Sequence, residues 1–138
     1  MIHPEKYRGS LPVIYRSGLE LTFSRFCDTN PTVISWGSET VVIPYIRPSD
    51  NRMHRYFVDY NVSFRDRTGN IKKYLVEVKP SSQLNPPKYS PNKKQQTFLK
   101  EQYNFAMNTA KFEAAKAWCA KNNYEFIIIT EKHLKNVS

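Results

Sequence analysis

Two cysteines, four glycines and no long apolar run set the first limits on this 138-residue chain. Cys27 and Cys119 lie far apart, and neither has a Cys or His neighbour at zinc-ligand spacing. That excludes a zinc finger and a disulfide-built scaffold, and nothing calls for an oxidising compartment. Both cysteines fall in expected helices and read as buried free thiols. No apolar stretch approaches bilayer-spanning length, and the opening residues hold no apolar signal region. The expectation is a soluble intracellular protein with no membrane contact. His3, His54 and His133 are scattered and are given no role. There is no internal repeat. Acids are also scarce: 12 Asp+Glu stand against 21 Lys+Arg, a formal net charge of +9.

What is present suffices for a core. A hydrophobic fraction of 40%, with 14% aromatic residues, excludes a disordered chain. The length fits one folded domain over residues 1–138. A basic excess of this size favours a polyanionic partner, nucleic acid first. The plainer alternative is a merely basic protein.

Residues 1–16 are broken by Pro and Gly and carry Lys6, Arg8 and Arg16. They read as an extended basic arm that lies on the fold, lies on DNA, or stays loose as termini do. Residues 17–28 read as a helix. Ser17 is the N-cap and Glu20 stands three positions on, as in a capping box. Leu19, Phe23 and Phe26 give the apolar stripe. Short strands follow over 33–36 and 40–45, then a polar turn over 47–52.

Residues 55–79 form the centre. Two apolar, β-branched and aromatic runs flank the turn Asp66-Arg67-Thr68-Gly69-Asn70, and read as a β-hairpin. Asp59 lies in the first run, and Glu77 and Lys79 lie in the second. Strand side chains alternate faces, so Glu77 and Lys79 share one face and Tyr74, Val76 and Val78 the other. Residues 80–91 hold four prolines and read as a loop leaving this place, either bordering a substrate or only connecting. Residues 93–122 read as one or two helices, with a break near Asn108-Thr109 and a stop at Asn122-Asn123. Residues 124–130 read as a strand buried on both faces, and 131–137 as a last helical turn. The order implies an α/β fold: a mixed central sheet with helices against it.

Charges inside apolar strands are costly unless paired or metal-bound. Magnesium takes oxygen ligands, usually one or two carboxylates plus phosphate oxygens and water. Asp59 and Glu77 meet that need. Such an ion polarises a scissile phosphate and activates a bound water. Lys79 reaches the same point and would orient that water or offset charge on the pentavalent phosphorane. Glu20 adds a third carboxylate if the first helix packs beside the sheet. Each residue also has a plain reading. Glu-x-Lys on a strand can be a solvated face or a cross-strand ion pair with Asp59, and the capping box already explains Glu20. Lys93, Lys94, Lys111 and Lys116, with the arm residues Lys6, Arg8 and Arg16, are candidate phosphate contacts or solvated charges.

The ordered set — helix acid, strand acid, then an acid and a lysine two apart — resembles the PD-(D/E)xK nuclease superfamily. Val58-Asp59 stands where that superfamily has Pro-Asp, Glu77-Val78-Lys79 matches (D/E)xK, and Ser17-Gly18-Leu19-Glu20 matches the helical acid. Residues 111–119 running into 126–131 resemble the helix–strand unit of TnsA-type endonucleases. The opening Lys6-Tyr7-Arg8-Gly9, with residues 12–20, is similar to the head completion nucleases of T4-like tailed phages. The resemblance implies a restriction-endonuclease-like core. It also implies an Mg²⁺-dependent endodeoxyribonuclease, with Mn²⁺ as a possible substitute and no small-molecule cofactor. Asp59, Glu77 and Glu20 would be metal ligands and Lys79 the catalytic cation. It further implies action on packaged DNA ends, phage head and portal proteins as partners, and the host cytoplasm or the virion as location. Two alternatives stay open: a non-catalytic basic plug protein of the head or portal, and a transposon-end or junction-type endonuclease. No base-reading module is present, so DNA recognition is expected to be structural or non-specific.

Overall fold

The first helix, α1 (Gly18–Thr29), starts where the sequence predicts. Ser17 is extended, and its Oγ accepts the backbone N–H of Glu20, which satisfies a donor that the helix start leaves unpaired. Phe23 and Cys27 are buried, with Leu19 and Phe26 packed alongside. The structure, a computed structural model, describes residues 1–135. Its strands are β1 (Val33–Ser38), β2 (Val42–Arg47), β3 (Arg52–Phe57), β4 (Tyr60–Arg65) and β5 (Ile71–Val78). The long helix α2 (Gln95–Asn122) and β6 (Glu125–Ile129) follow.

Four strands form the central sheet in the order β1-β4-β5-β6. The first two pairings are antiparallel and β5–β6 is parallel. A parallel pair needs a long crossover, which the loop and α2 supply. β4 and β5 form a hairpin whose turn is built by Asp66. Its carboxylate accepts the N–H groups of Thr68 and Asn70, and Gly69 takes the left-handed φ of 86°. The mixed sheet with helices is the α/β architecture expected.

The two faces of β5 serve two cores. Val76 and Val78 join Phe23, Cys27, Trp36 and Tyr60, with Tyr74 packed against them. Leu75 joins Ile43, Tyr45, Tyr56, Val58, Ala115 and Cys119 under α2. Alternation then puts Glu77 on the α2 side. Both cysteines are free and buried.

Three expectations need correction. Residues 55–60 are not one strand. β3 ends at Phe57 and pairs only with β2, in a separate two-stranded ribbon, and β4 begins at Tyr60. The chain changes sheets between them, held by Val58 N–H to the Val41 carbonyl and Glu39 N–H to the Asp59 carbonyl. Secondly, α2 does not break at Asn108-Thr109. The Thr109 hydroxyl donates to the Phe105 carbonyl inside the helix rather than capping a new one. The expected stop holds, with Asn123 in the left-handed region at φ 62°. Thirdly, β6 is not buried on both faces. It is an edge strand with half-buried side chains.

The loop over 80–91 is a loop, apart from a 3-10 turn at Ser81–Leu84. Residues 131–135 form hydrogen-bonded turns and not a helix. The rest of the helical turn expected there, 136 and 137, lies outside the described residues.

The start of the arm lies on the fold. Ile2 and His3 donate their N–H groups to the Asp28 carboxylate. After a 3-10 turn at Pro4–Lys6, the Tyr7 ring meets Trp36 edge-on at 4.7 Å. No helix among the described residues is long and apolar enough to cross a membrane.

Candidate active site

β4 starts at Tyr60, opposite Val76. Continued past its end, that register puts Asp59 opposite Glu77. The backbone bends away at Val58, so the Val78 N–H finds no partner on β4. The Asp59 side chain takes it instead, Oδ2 accepting at 2.9 Å. Glu77 is buried, 5% exposed. Its Oε2 accepts the Tyr56 hydroxyl at 2.6 Å, and its Oε1 lies 3.7 Å from the Lys79 ammonium. Two carboxylates and one lysine thus meet where the ribbon leaves the sheet.

Burial decides their charge. It raises the Glu77 carboxyl, the negative charge of Asp59 raises it further, and together they push it up to about 7 against the pull of Tyr56, Lys79 and Lys111. Burial also raises Asp59, opposed first by the Val78 N–H and then by Lys79. The carboxyls are close enough for the charge of Asp59 to oppose ionisation of Glu77. Such a pair is short of positive charge. The donor set is hard, anionic and oxygen-only, which fits a divalent cation of the magnesium type. Among the described residues no three His, Cys, Asp or Glu converge into a protein-only cage. Magnesium does not need one, because it completes its shell with water and phosphate.

Glu20 does two things. Its backbone N–H closes the cap with Ser17, while burial and then the charge of Asp59 raise its carboxyl, with Arg16 lowering it. α1 is held there by Tyr60, the residue after Asp59. Its hydroxyl donates to the Glu20 carbonyl at 3.1 Å and lies 2.8 Å from Ser24 Oγ. Glu20 thus lies near enough to Asp59 to feel its charge, and it does not converge with Asp59 and Glu77 on one point among the described residues.

Three further residues reach the site. Tyr56 anchors Glu77; a tyrosine in an apolar strand carries no signal of that role. Glu39 takes a left-handed φ of 55°, pairs with Arg16, and adds negative charge near Asp59. Lys111, expected only as a possible phosphate contact, comes over the rings of Tyr56 and Tyr45 at 5.5 and 5.8 Å. Burial lowers its pKa, and Glu77 opposes that shift. Lys79 and Lys111 both line a cleft of about 700 Å³ between the 80–91 loop and α2.

Of the remaining basic candidates, Arg16 comes near the site through Glu39 and Lys93 near the cleft through Glu101, and the others stand elsewhere. Lys6 donates to the Asp28 and Asn30 carbonyls at the end of α1, and Arg8 to the Glu5 carbonyl. Arg16 pairs with Glu39, Lys93 with Glu101 and Lys116 with Glu113. Lys94 is exposed at the N-cap of α2.

Comparison with known proteins identifies a family and a relative. A family described as "TnsA-like endonuclease N terminal" matches residues 30–131, which include Asp59, Glu77, Lys79 and Lys111 but not Glu20. A protein of Enterobacteria phage T4 named "Head completion nuclease" is 35% identical over 134 residues, covering 94% of this chain and 87% of that protein.

Proposed function

This chain belongs to the TnsA-like endonuclease family, and we propose that it is a magnesium-dependent endodeoxyribonuclease that processes DNA ends during completion of a phage head. The name of the T4 relative supports the setting. One observation carries the chemistry: a buried and a half-buried carboxylate stand side by side at a sheet corner, with a lysine ammonium 3.7 Å from the buried one.

Asp59 and Glu77 would hold the ion, and Glu20 would reach it through a water. When bound, the ion supplies Lewis-acid polarisation of the phosphate and a water of lowered pKa. The chain's own residues do the rest. Tyr56 fixes the Glu77 carboxylate, and the Val78 N–H fixes that of Asp59. Lys79 holds positive charge beside the scissile phosphate, where negative charge grows as the phosphodiester is attacked. Lys111 adds a second cation one step further along the cleft. Mn²⁺, similar in ligand preference, should substitute. Binding rests on the phosphate backbone and should weaken steeply with salt. Head and portal proteins are the partners this role implies, and the cytoplasm of an infected host or the virion is its place.

Supercoiled plasmid tests the reading. Wild-type protein should nick or linearise it with Mg²⁺ or Mn²⁺ and stop with EDTA. Folded Glu77→Gln and Lys79→Ala variants that cut at the wild-type rate would overturn the assignment.

A further inference from the structure

We infer that the cleft between the 80–91 loop and α2 is a slot for an unpaired DNA strand, so that the preferred substrate is an end or junction with a single-stranded segment rather than a blunt duplex. The inference rests on the endonuclease reading and names its substrate.

Size comes first. At about 700 Å³ the cleft falls in the range of small-molecule pockets, room for about one or two nucleotides. A duplex, whose major groove alone is about 12 Å wide, does not enter it.

The lining fits a strand. Lys79 stands at the site end, beside Glu77. Asn104, Asn108 and Lys111 line the α2 wall together with Phe105. The spacing of those three polar residues puts them in one stripe along the helix. Asn85 and Lys88 line the loop wall. Ammonium groups suit phosphates. Side-chain amides carry both donors and acceptors, which suits base edges, and Watson–Crick edges are free only in unpaired bases. Phe105 offers an apolar surface for a base. Glu101 also lines the cleft, but Lys93 pairs with it at 3.1 Å. Three lysines therefore face one neutralised acid.

The slot is preformed. The Lys93 ammonium holds the Lys88 carbonyl, Tyr89 stands edge-on to Phe98, and the Ser81 N–H donates to Glu131 at 2.9 Å. The consecutive Pro86 and Pro87 stiffen the loop between these ties.

The test is fluorescence anisotropy in EDTA, using one labelled duplex with and without a single-stranded tail at equal salt. Wild type should bind the tailed duplex at least about fivefold tighter, the low end of one stacked base. The double variant Asn104→Leu/Asn108→Leu, shown folded by its melting curve, should bind blunt duplex as wild type does and lose the preference for the tail. Equal binding of the two duplexes by wild type, or a preference that survives in the double variant, would overturn the slot. Cleavage assays separate the two ideas. Tail preference without any divalent-dependent cleavage removes the endonuclease reading and keeps the slot. Equal cutting and equal binding of blunt and tailed DNA does the reverse.

Discussion

Asp59 accepts the backbone N–H of Val78 at 2.9 Å, and Val78 stands between Glu77 and Lys79. One acid is thus fixed by the strand that carries the other acid and the lysine. Asn at position 59 keeps an acceptor for that N–H and removes a charge that pushes Glu77 upward. Asp59→Asn should therefore lose cleavage by about a hundredfold or more, beyond the tenfold to hundredfold cost typical of losing a supporting group. Without metal it should melt at or above the wild-type temperature. Plasmid nicking and thermal melts in EDTA check both halves. A melting point well below wild type would mean that the carboxylate itself holds the corner together.

Tyr56→Phe removes the donor to Glu77 Oε2 at little cost in shape. Metal affinity should fall about tenfold or more, as expected when a supporting hydrogen bond is removed. The Tyr56 bond lowers the Glu77 pKa, so its removal should move the pH–rate curve to higher pH. Calorimetric Mn²⁺ titration and a pH profile measure the two effects.

Glu77 also gives the apo protein a definite pH dependence. Its pKa is about 7 in the folded chain against 4.5 for an ordinary glutamate. The folded state holds a proton that the unfolded state has lost. This contribution to stability is complete below about pH 4.5 and is lost as pH rises through 7. The metal-free protein should melt lower at pH 8 than at pH 5.5, and Glu77→Gln should flatten that slope. Metal binding runs the other way, because the ligand must lose its proton. Activity should rise with pH through about 7. Melting curves across pH, with EDTA and with Mn²⁺, separate the two trends.

Much of this is legible from short-range pattern. Ser17 and Glu20 announce the cap of α1 because a cap is a local structure. Glu77 and Lys79 announce a shared face because strand alternation is local too. Asp59 stands out as an acid in an apolar run, but the corner it occupies does not. Phe57 and Val58 continue the apolar run, and only pairing partners distant in sequence, Val41 and Glu39, show that the chain changes sheets there. Tyr56 is not legible as a site residue, and Lys111 is legible only as one of several candidate phosphate contacts, because their place depends on how the ribbon and α2 cross β5. The break expected in α2 fails for a related reason. Thr109 can cap a helix or bond back within one, and packing chose the second.

Lys111→Ala should separate phosphate binding from chemistry. Removing one cation that meets a phosphate reduces the slope of log affinity against log salt by about 1, and the KM for DNA should rise more than kcat falls. Binding isotherms over a salt series, with steady-state cleavage, check this. An unchanged salt slope would place Lys111 in the packing of Tyr45 and Tyr56 alone.

The change of sheets at Val58 and Asp59 also dictates where this chain can gain or lose residues over evolution. The ribbon tip, with Pro48, Ser49, Asp50 and Asn51 all exposed, lies outside both cores, and a longer loop there costs little closure entropy. Between Phe57 and Tyr60 a single extra residue would turn the side chains of β4 to the wrong faces or carry Asp59 away from Val78. Relatives should therefore differ in length at the ribbon tip and keep this two-residue step fixed, so that its spacing marks the family more faithfully than the residue before the aspartate.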